Sequence, residues 1–162
     1  MNKIDRRLNV TSYEADYARW CTEQASLLRA GRLDALDRDN LAEEINSLGR
    51  RERREVESRL TVLVHHLLKW QVQPGRRSES WRISISEQRI WIPDILADNP
   101  SLKRQMRGMF ATAYVKGKRS AVSETGLRAE LFPDSPPFTL SEALSPEFWP
   151  DDGQDNPVVL RD

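Results

Sequence analysis

Apolar residues recur at helical spacing over one long stretch of the chain, from Asn40 to Gln73. At about 100° per residue, the apolar side chains fall within an arc of roughly 120°. They are Leu41, Ile45, Leu48, Val56, Leu60, Leu63, Leu67 and Trp70. An arc of this width is typical of a helix face turned towards a core, so the stretch predicts a long central helix.

Polar residues interrupt this face along one line, at intervals of seven residues. They are Glu52, Arg59, His66 and, at the edge of the arc, Gln73. Polar groups on a core-facing line cost free energy unless they are paired. Two interpretations stay open. Either Glu52 and Arg59 reach water where the bundle is open, or the line is a polar seam that fixes helix register or lines a site.

The remaining apolar pattern predicts three further helices. The four expected helices span about 12–30, 39–73, 79–97 and 100–125. Short connections favour antiparallel neighbours, which predicts an all-α, up-and-down bundle of four main helices with a short C-terminal helical turn and an extended tail. We expect one domain over residues 11–150. An N-terminal extension over 1–10 precedes it, and an acidic, disordered tail over 151–162 follows it.

Local signals refine these helices. Thr11 and Glu14 form a capping-box pattern, which predicts Thr11 as the N-cap of the first helix, and Thr139 with Glu142 repeats the pattern near the C-terminus. Pro93 lies inside the third helix and should kink it, because proline removes one backbone hydrogen bond.

The fourth helix carries a stripe of residues whose side chains become smaller towards the C-terminal end of the helix. Its members are Leu102, Met106, Met109, Ala113, Gly117 and Ser120. Since Ala, Gly and Ser side chains are short, this end of the helix should let a neighbouring helix approach closely.

Charge is balanced over the 162 residues but unevenly distributed along them. Residues 50–119 hold 16 basic and 7 acidic side chains, whereas residues 120–162 hold 2 and 9. Such a pattern has two interpretations. Either one part of the domain neutralises the charge of another, or the basic middle contacts nucleic acid and the acidic C-terminal segment, as a mimic of nucleic acid, folds over it.

Basic and aromatic residues alternate around the predicted turn between the second and third helices. The cluster consists of Lys69, Trp70, Arg76, Arg77, Ser80 and Trp81. Arg and Trp side by side can hold a phosphate and stack on a base, which makes this cluster a candidate anion or nucleic-acid surface, or a surface for a protein partner. Alternatively, both Trp side chains pack at the end of the core and the Arg side chains are solvated.

No metal, cofactor or catalytic motif is present in the sequence. His65 and His66 are the only histidines and point about 100° apart on one helix, so they cannot share a metal ion from that helix. His66 could meet Asp16 or Glu23 from the first helix, or act as a general base, but no nucleophile accompanies it. Cys21 is the only cysteine and fits a small buried side chain.

Several segments, taken in order, resemble the bacterial domain-of-unknown-function family 29 (DUF 29). They are YEADYARWCTEQASLLRAGRLDALD, NLAEEINSLGRRERREVESRL, HHLLKWQVQPGRRSESWRISISEQR and TLSEALSPEFWP. The resemblance covers about residues 12–150 and implies an all-helical single domain without an assigned activity. It supplies no catalytic residues.

These observations favour a non-enzymatic helical protein that acts by protein–protein interaction, with another protein or with its own copies. The main alternative is a nucleic-acid-associated regulator that uses the basic middle, and the third is a metal- or acid/base-dependent enzyme built around His66. No apolar run is long enough for a membrane span and no secretory signal is visible, so we expect a cytoplasmic protein.

Overall fold

The computed structural model of this chain describes residues 10–150, which contain α-helices and no strand. The predicted all-α class is therefore confirmed. The helices are α1 (Tyr17–Arg29), α2 (Arg38–Val72), α3 (Glu79–Asp98), α4 (Met106–Thr125) and α5 (Leu140–Leu144). Short 3-10 turns occupy Leu33–Ala35, Pro74–Arg76, Pro100–Gln105 and Ala129–Leu131.

The chain divides into two compact units, and the boundary between Arg50 and Arg51 falls inside α2. In the first unit, α1 and the start of α2 are joined largely by polar contacts. Trp20 is buried and donates its indole N–H to Asp37 Oδ2 at 3.1 Å. Tyr13 and Tyr17 both donate their hydroxyls to Glu44, at 2.5 and 2.8 Å.

The first helix begins later than the sequence predicted. Asp16, not Thr11, is its N-cap and accepts a hydrogen bond from the Arg19 backbone N–H at 3.0 Å. Thr11 instead donates its backbone N–H and its hydroxyl to Glu23, at 2.7 and 3.0 Å. The capping-box prediction was wrong because a carboxylate twelve residues away takes both Thr11 donors.

The predicted core face of the central helix was also wrong in its first half. Ile45 and Leu48 are exposed, and Leu41 is only partly buried. Among residues 10–50, α1 and the short segment before it lie beside α2, and together they do not cover a 120° arc along this part of the helix. At the start of this helix, Asp37 accepts from the Asn40 backbone N–H at 3.4 Å.

The second unit contains the main core, built from the end of α2 with α3 and α4. Arg59 bonds to Gln88 while Lys69 lies on Trp81, so α2 and α3 are antiparallel. Six residues of α2 are completely buried: Val56, Leu60, Leu63, Val64, Leu67 and Leu68. The sequence pattern placed four of them, Val56, Leu60, Leu63 and Leu67, on the core face. Ile85, Ile92, Met109 and Ala113 complete the centre of the core.

Helices α2 and α4 approach each other closely at Gly117. A Cβ on Gly117 would lie 2.9 Å from Val64 Cγ1, 3.0 Å from the Thr61 carbonyl oxygen and 3.1 Å from the His65 backbone nitrogen. The predicted close approach is therefore confirmed. The predicted stripe fails one turn later, because Ser120 is exposed and Ala121 takes the buried position.

The segment after α4 packs back onto the second unit. Thr139 and Glu142 form the capping box that the sequence predicted for α5. Arg89, a buried residue of α3, donates to the carbonyl oxygens of Ala143 at 2.9 Å and Phe148 at 2.7 Å. A charged donor thus satisfies backbone carbonyls that would otherwise be buried without partners, and this holds the end of the described chain in place.

We predict that Gly117→Ala destabilises the protein by about 1–3 kcal/mol, because the new methyl group forces α2 and α4 apart. Urea denaturation followed by circular dichroism measures the change. Gly108→Ala on the same helix is the matched control, since nothing lies within 4 Å of its added Cβ. The control should be neutral or stabilising by about 0.5–1 kcal/mol. Equal stabilisation by both substitutions would contradict the close approach.

Candidate functional site

Three residues of the proposed polar seam, Glu52, Arg59 and His66, lie on α2, and Gln73 directly follows its last residue. All four are half-buried. Arg59 is the most connected of them. Its Nη1 donates to Gln88 Oε1 at 3.1 Å, and its Nε lies 2.7 Å from Glu55 Oε1, close enough for an ion pair although not aligned as a hydrogen bond. Its guanidinium also lies 5.2 Å from the centre of the Trp91 ring. Arg59 therefore joins α2 to the side of α3.

The other seam residues do not form a chain of hydrogen bonds with Arg59 within residues 10–150. His66 packs edge-on against His65, with ring centres 4.8 Å apart, and its Nδ1 is buried without a partner among the described residues. Burial, together with His65 and Lys69, lowers the pKa of His66 to about 4. His66 is therefore a neutral side chain at the edge of the core at pH 7. The carboxylates considered for it, Asp16 and Glu23, have partners within the first unit.

The basic and aromatic cluster is centred on Lys69, which is buried with only 2% of its surface exposed. Its Nζ lies 2.5 Å from Glu124 Oε1 on α4 and 4.2 Å from the centre of the Trp81 ring on α3. One ammonium group thus connects three helices. An anion could reach Lys69 only by displacing Glu124.

The remaining members of the cluster divide into internal and exposed residues. Trp70 packs against Trp149, with ring centres 4.5 Å apart, and Arg77 donates its Nε to the Trp70 carbonyl oxygen at 3.0 Å. Arg76 and Ser80 are exposed. Trp70 has Trp149 and Arg77 against its ring and Trp81 has Lys69, which leaves less of either ring available for stacking on a base.

Glu124 is the residue of this site that sequence reasoning missed. Its two oxygens lie 2.6 Å from His65 Nε2 and 2.5 Å from Lys69 Nζ. The hydrogen bond from Lys69 holds the pKa of Glu124 below its ordinary value. Burial lowers the pKa of His65 more than Glu124 raises it, so a neutral His65 donates through Nε2. Only the close approach at Gly117 brings Glu124 to these residues, and no spacing in the sequence reveals it.

The comparison with protein families gave a match that covers nearly all of the described residues. The model of a family described as "Domain of unknown function DUF29" matches residues 12–149. The chain belongs to the DUF29 family. Searches of curated proteins and of solved structures returned no match. Membership thus confirms the resemblance seen in the sequence, and it assigns no activity to this DUF29 chain.

Residues 10–150 of this DUF29 chain lack two kinds of feature. No set of three or more His, Cys, Asp and Glu side chains there is arranged to hold a metal ion. Its helices in that range are also too short or too polar to cross a membrane.

The outer face of α3 carries exposed apolar side chains in this DUF29 structure. Ile83, Ile90 and Trp91 are each at least half exposed. Ser86, Pro93 and Ala97 lie on the face of Ile83 and Ile90 and are also exposed. Trp91 lies about 100° round the helix from Ile90, with its ring against Arg59. Exposed apolar residues are unremarkable when scattered singly, whereas several along one helix face indicate an interaction surface.

We predict that the two partners of the Lys69–Glu124 ion pair differ in what their replacement costs, because only Lys69 is buried. Glu124→Gln should cost about 2–3 kcal/mol, because it leaves the Lys69 ammonium buried without a counter-charge. Lys69→Met should cost about 1 kcal/mol or less, because the Glu124 side chain is 56% exposed and can be solvated by water. Urea unfolding at pH 7 measures both values. A larger loss for Lys69→Met than for Glu124→Gln would contradict this account.

Proposed function

We propose that this protein acts through protein–protein interaction, and that its partner is a second copy that pairs through the outer face of α3. The observation that carries the proposal is the exposed stripe on that helix. Ile90 at its centre has 61% of its surface exposed. The opposite face of α3 is buried in the core through Ile85 and Ile92, so the helix is firmly held while its outer face stays available.

The stripe has the spacing of a coiled-coil seam. Ile83, Ile90 and Ala97 are seven residues apart, and Ser86 and Pro93 lie between them. This is the a and d pattern of a heptad repeat, in which apolar positions recur every 3.5 residues on average. The stripe covers about 21 Å of helix at 1.5 Å per residue. Two such stripes can therefore pack along one another over four turns.

Charges on either side of the stripe favour a parallel arrangement of the two copies. Arg82 occupies a g position and Glu87 occupies the e position five residues later, so parallel pairing places Arg82 opposite Glu87 of the second copy. Antiparallel pairing instead brings Glu87 close to Asp94 of the second copy, which is unfavourable because both carry negative charge. These charges therefore favour parallel over antiparallel pairing of the two copies.

The same stripe supports a weak, reversible dimer. Its d positions are Ser86 and Pro93, which contribute little apolar surface, and its length is short for a coiled coil. We expect dissociation at micromolar concentration, as for small transient interfaces. The bacterial origin and cytoplasmic location expected from the sequence stay predictions.

We predict that Ile90→Lys abolishes self-association, because it places two positive charges at the centre of the paired stripes. Sedimentation equilibrium over a concentration series measures the dimer fraction. Val115→Lys is the matched control, since Val115 is a similarly exposed apolar residue, at 69%, on α4. The control should dimerise like the wild-type protein, and circular dichroism verifies that both variants are folded.

A charge exchange tests the partner and the orientation together. Arg82→Glu should weaken the dimer about three- to tenfold, since it places like charges opposite each other. Combining Arg82→Glu with Glu87→Arg should restore it, because the pair is re-formed with reversed signs. A wild-type protein that is monomeric at all concentrations, or a double variant weaker than Arg82→Glu alone, would overturn the proposal.

A further inference from the structure

A polar groove runs between α2 and α4 on the second unit, on different helix faces from the α3 stripe. Its larger part is an open depression of about 590 Å³. The residues that line it are Thr61, Lys116, Arg119, Ser120, Ser123 and Glu124. A neighbouring depression of about 240 Å³ shares Thr61 and Lys116 with it, so the two are continuous. The groove follows the line along which α2 and α4 meet at Gly117.

Hydrogen-bond donors from α4 are concentrated on one wall of this groove. Lys116, Ser120 and Ser123 follow one another at intervals of four and three residues, and Arg119 adjoins them, so all four lie on the same side of the helix. Arg119, Ser120 and Ser123 are exposed, and their side chains have no hydrogen-bond or ion-pair partner within residues 10–150. Lys116 Nζ lies 2.5 Å from Glu57 Oε1 and is half exposed.

Glu124 is the acidic residue on the wall of the groove, but its charge is already engaged. Both of its oxygens are directed towards α2, where Lys69 and His65 contact them. Three cations, Arg54, Lys116 and Arg119, line the groove together with the two carboxylates of Glu57 and Glu124. The arrangement leaves a net positive charge beside two free hydroxyls.

We propose that this groove binds a phosphate group, held by Arg119 and Lys116 and by the hydroxyls of Ser120 and Ser123. A guanidinium can donate two parallel hydrogen bonds to a phosphate, and an ammonium supplies a point charge. Hydroxyl groups on one helix face donate to the remaining oxygens. The buried Lys69–Glu124–His65 contacts keep Glu124 turned away from the bound anion. This role does not depend on pairing through α3.

Isothermal titration calorimetry of the full chain with inorganic phosphate tests the proposal at constant ionic strength. We expect saturable binding of one phosphate per chain, with affinity reduced about tenfold or more by Arg119→Ala, which removes a charge-assisted pair. Ser123→Ala should weaken binding to a smaller extent. Arg107→Ala is the matched control because Arg107 is an exposed arginine of α4 outside the groove, and it should leave binding unchanged.

A second titration with glycerol phosphate distinguishes an inorganic from an organic source of the phosphate group, since tighter binding of the ester identifies a phosphate monoester site. The monomeric Ile90→Lys variant should bind phosphate like the wild-type protein, which separates this inference from the dimer. The proposal is wrong if phosphate gives no saturable heat at millimolar concentration, or if Arg119→Ala and Arg107→Ala weaken binding equally.

Discussion

The close approach of α2 and α4 at Gly117 is the constraint on which the second unit depends. Only a residue without a side chain lets the backbone of α4 come within van der Waals contact of Thr61 and His65. From that contact the two helices continue in parallel, which brings Glu124 to Lys69 five residues beyond Val64. A single glycine therefore determines both how the core closes and which carboxylate can neutralise a buried lysine.

The buried lysine explains why the basic middle of the chain is less available than its composition indicates. Lys69 is neutralised by Glu124, and Lys118 pairs with Asp134 at 2.9 Å. Acidic residues after position 120 thus offset basic residues before it, as one of the two interpretations of the charge pattern expected. The exposed surface includes an uncharged stripe on α3 and a donor-rich wall on α4. We propose that these serve different partners.

The sequence predicted most of the fold, because helical periodicity of apolar residues, clearest in the second half of α2, records burial directly. The sequence-based prediction failed where contacts between residues distant in the sequence determine the structure. Thr11 was taken as an N-cap, but it bonds to Glu23; Ile45 was placed in the core, but it has too few neighbours to be buried. Lys69 was assigned to a surface, because nothing in a linear pattern shows that Glu124 lies beside it. Family membership was also evident from sequence, since long segments carry it.

Cysteine cross-linking tests the central claim, the parallel pairing of α3, most directly. In a Cys21→Ser background, Ile83→Cys and Ile90→Cys are oxidised separately, with Val115→Cys as control. Parallel pairing brings each substituted residue close to its own equivalent, within the 4.4–6.8 Å Cα separation that a disulfide requires. The account predicts disulfide-linked dimers from both α3 variants and none from the control. Cross-linking of Ile90→Cys alone would indicate antiparallel pairing, and cross-linking of neither would contradict the interface.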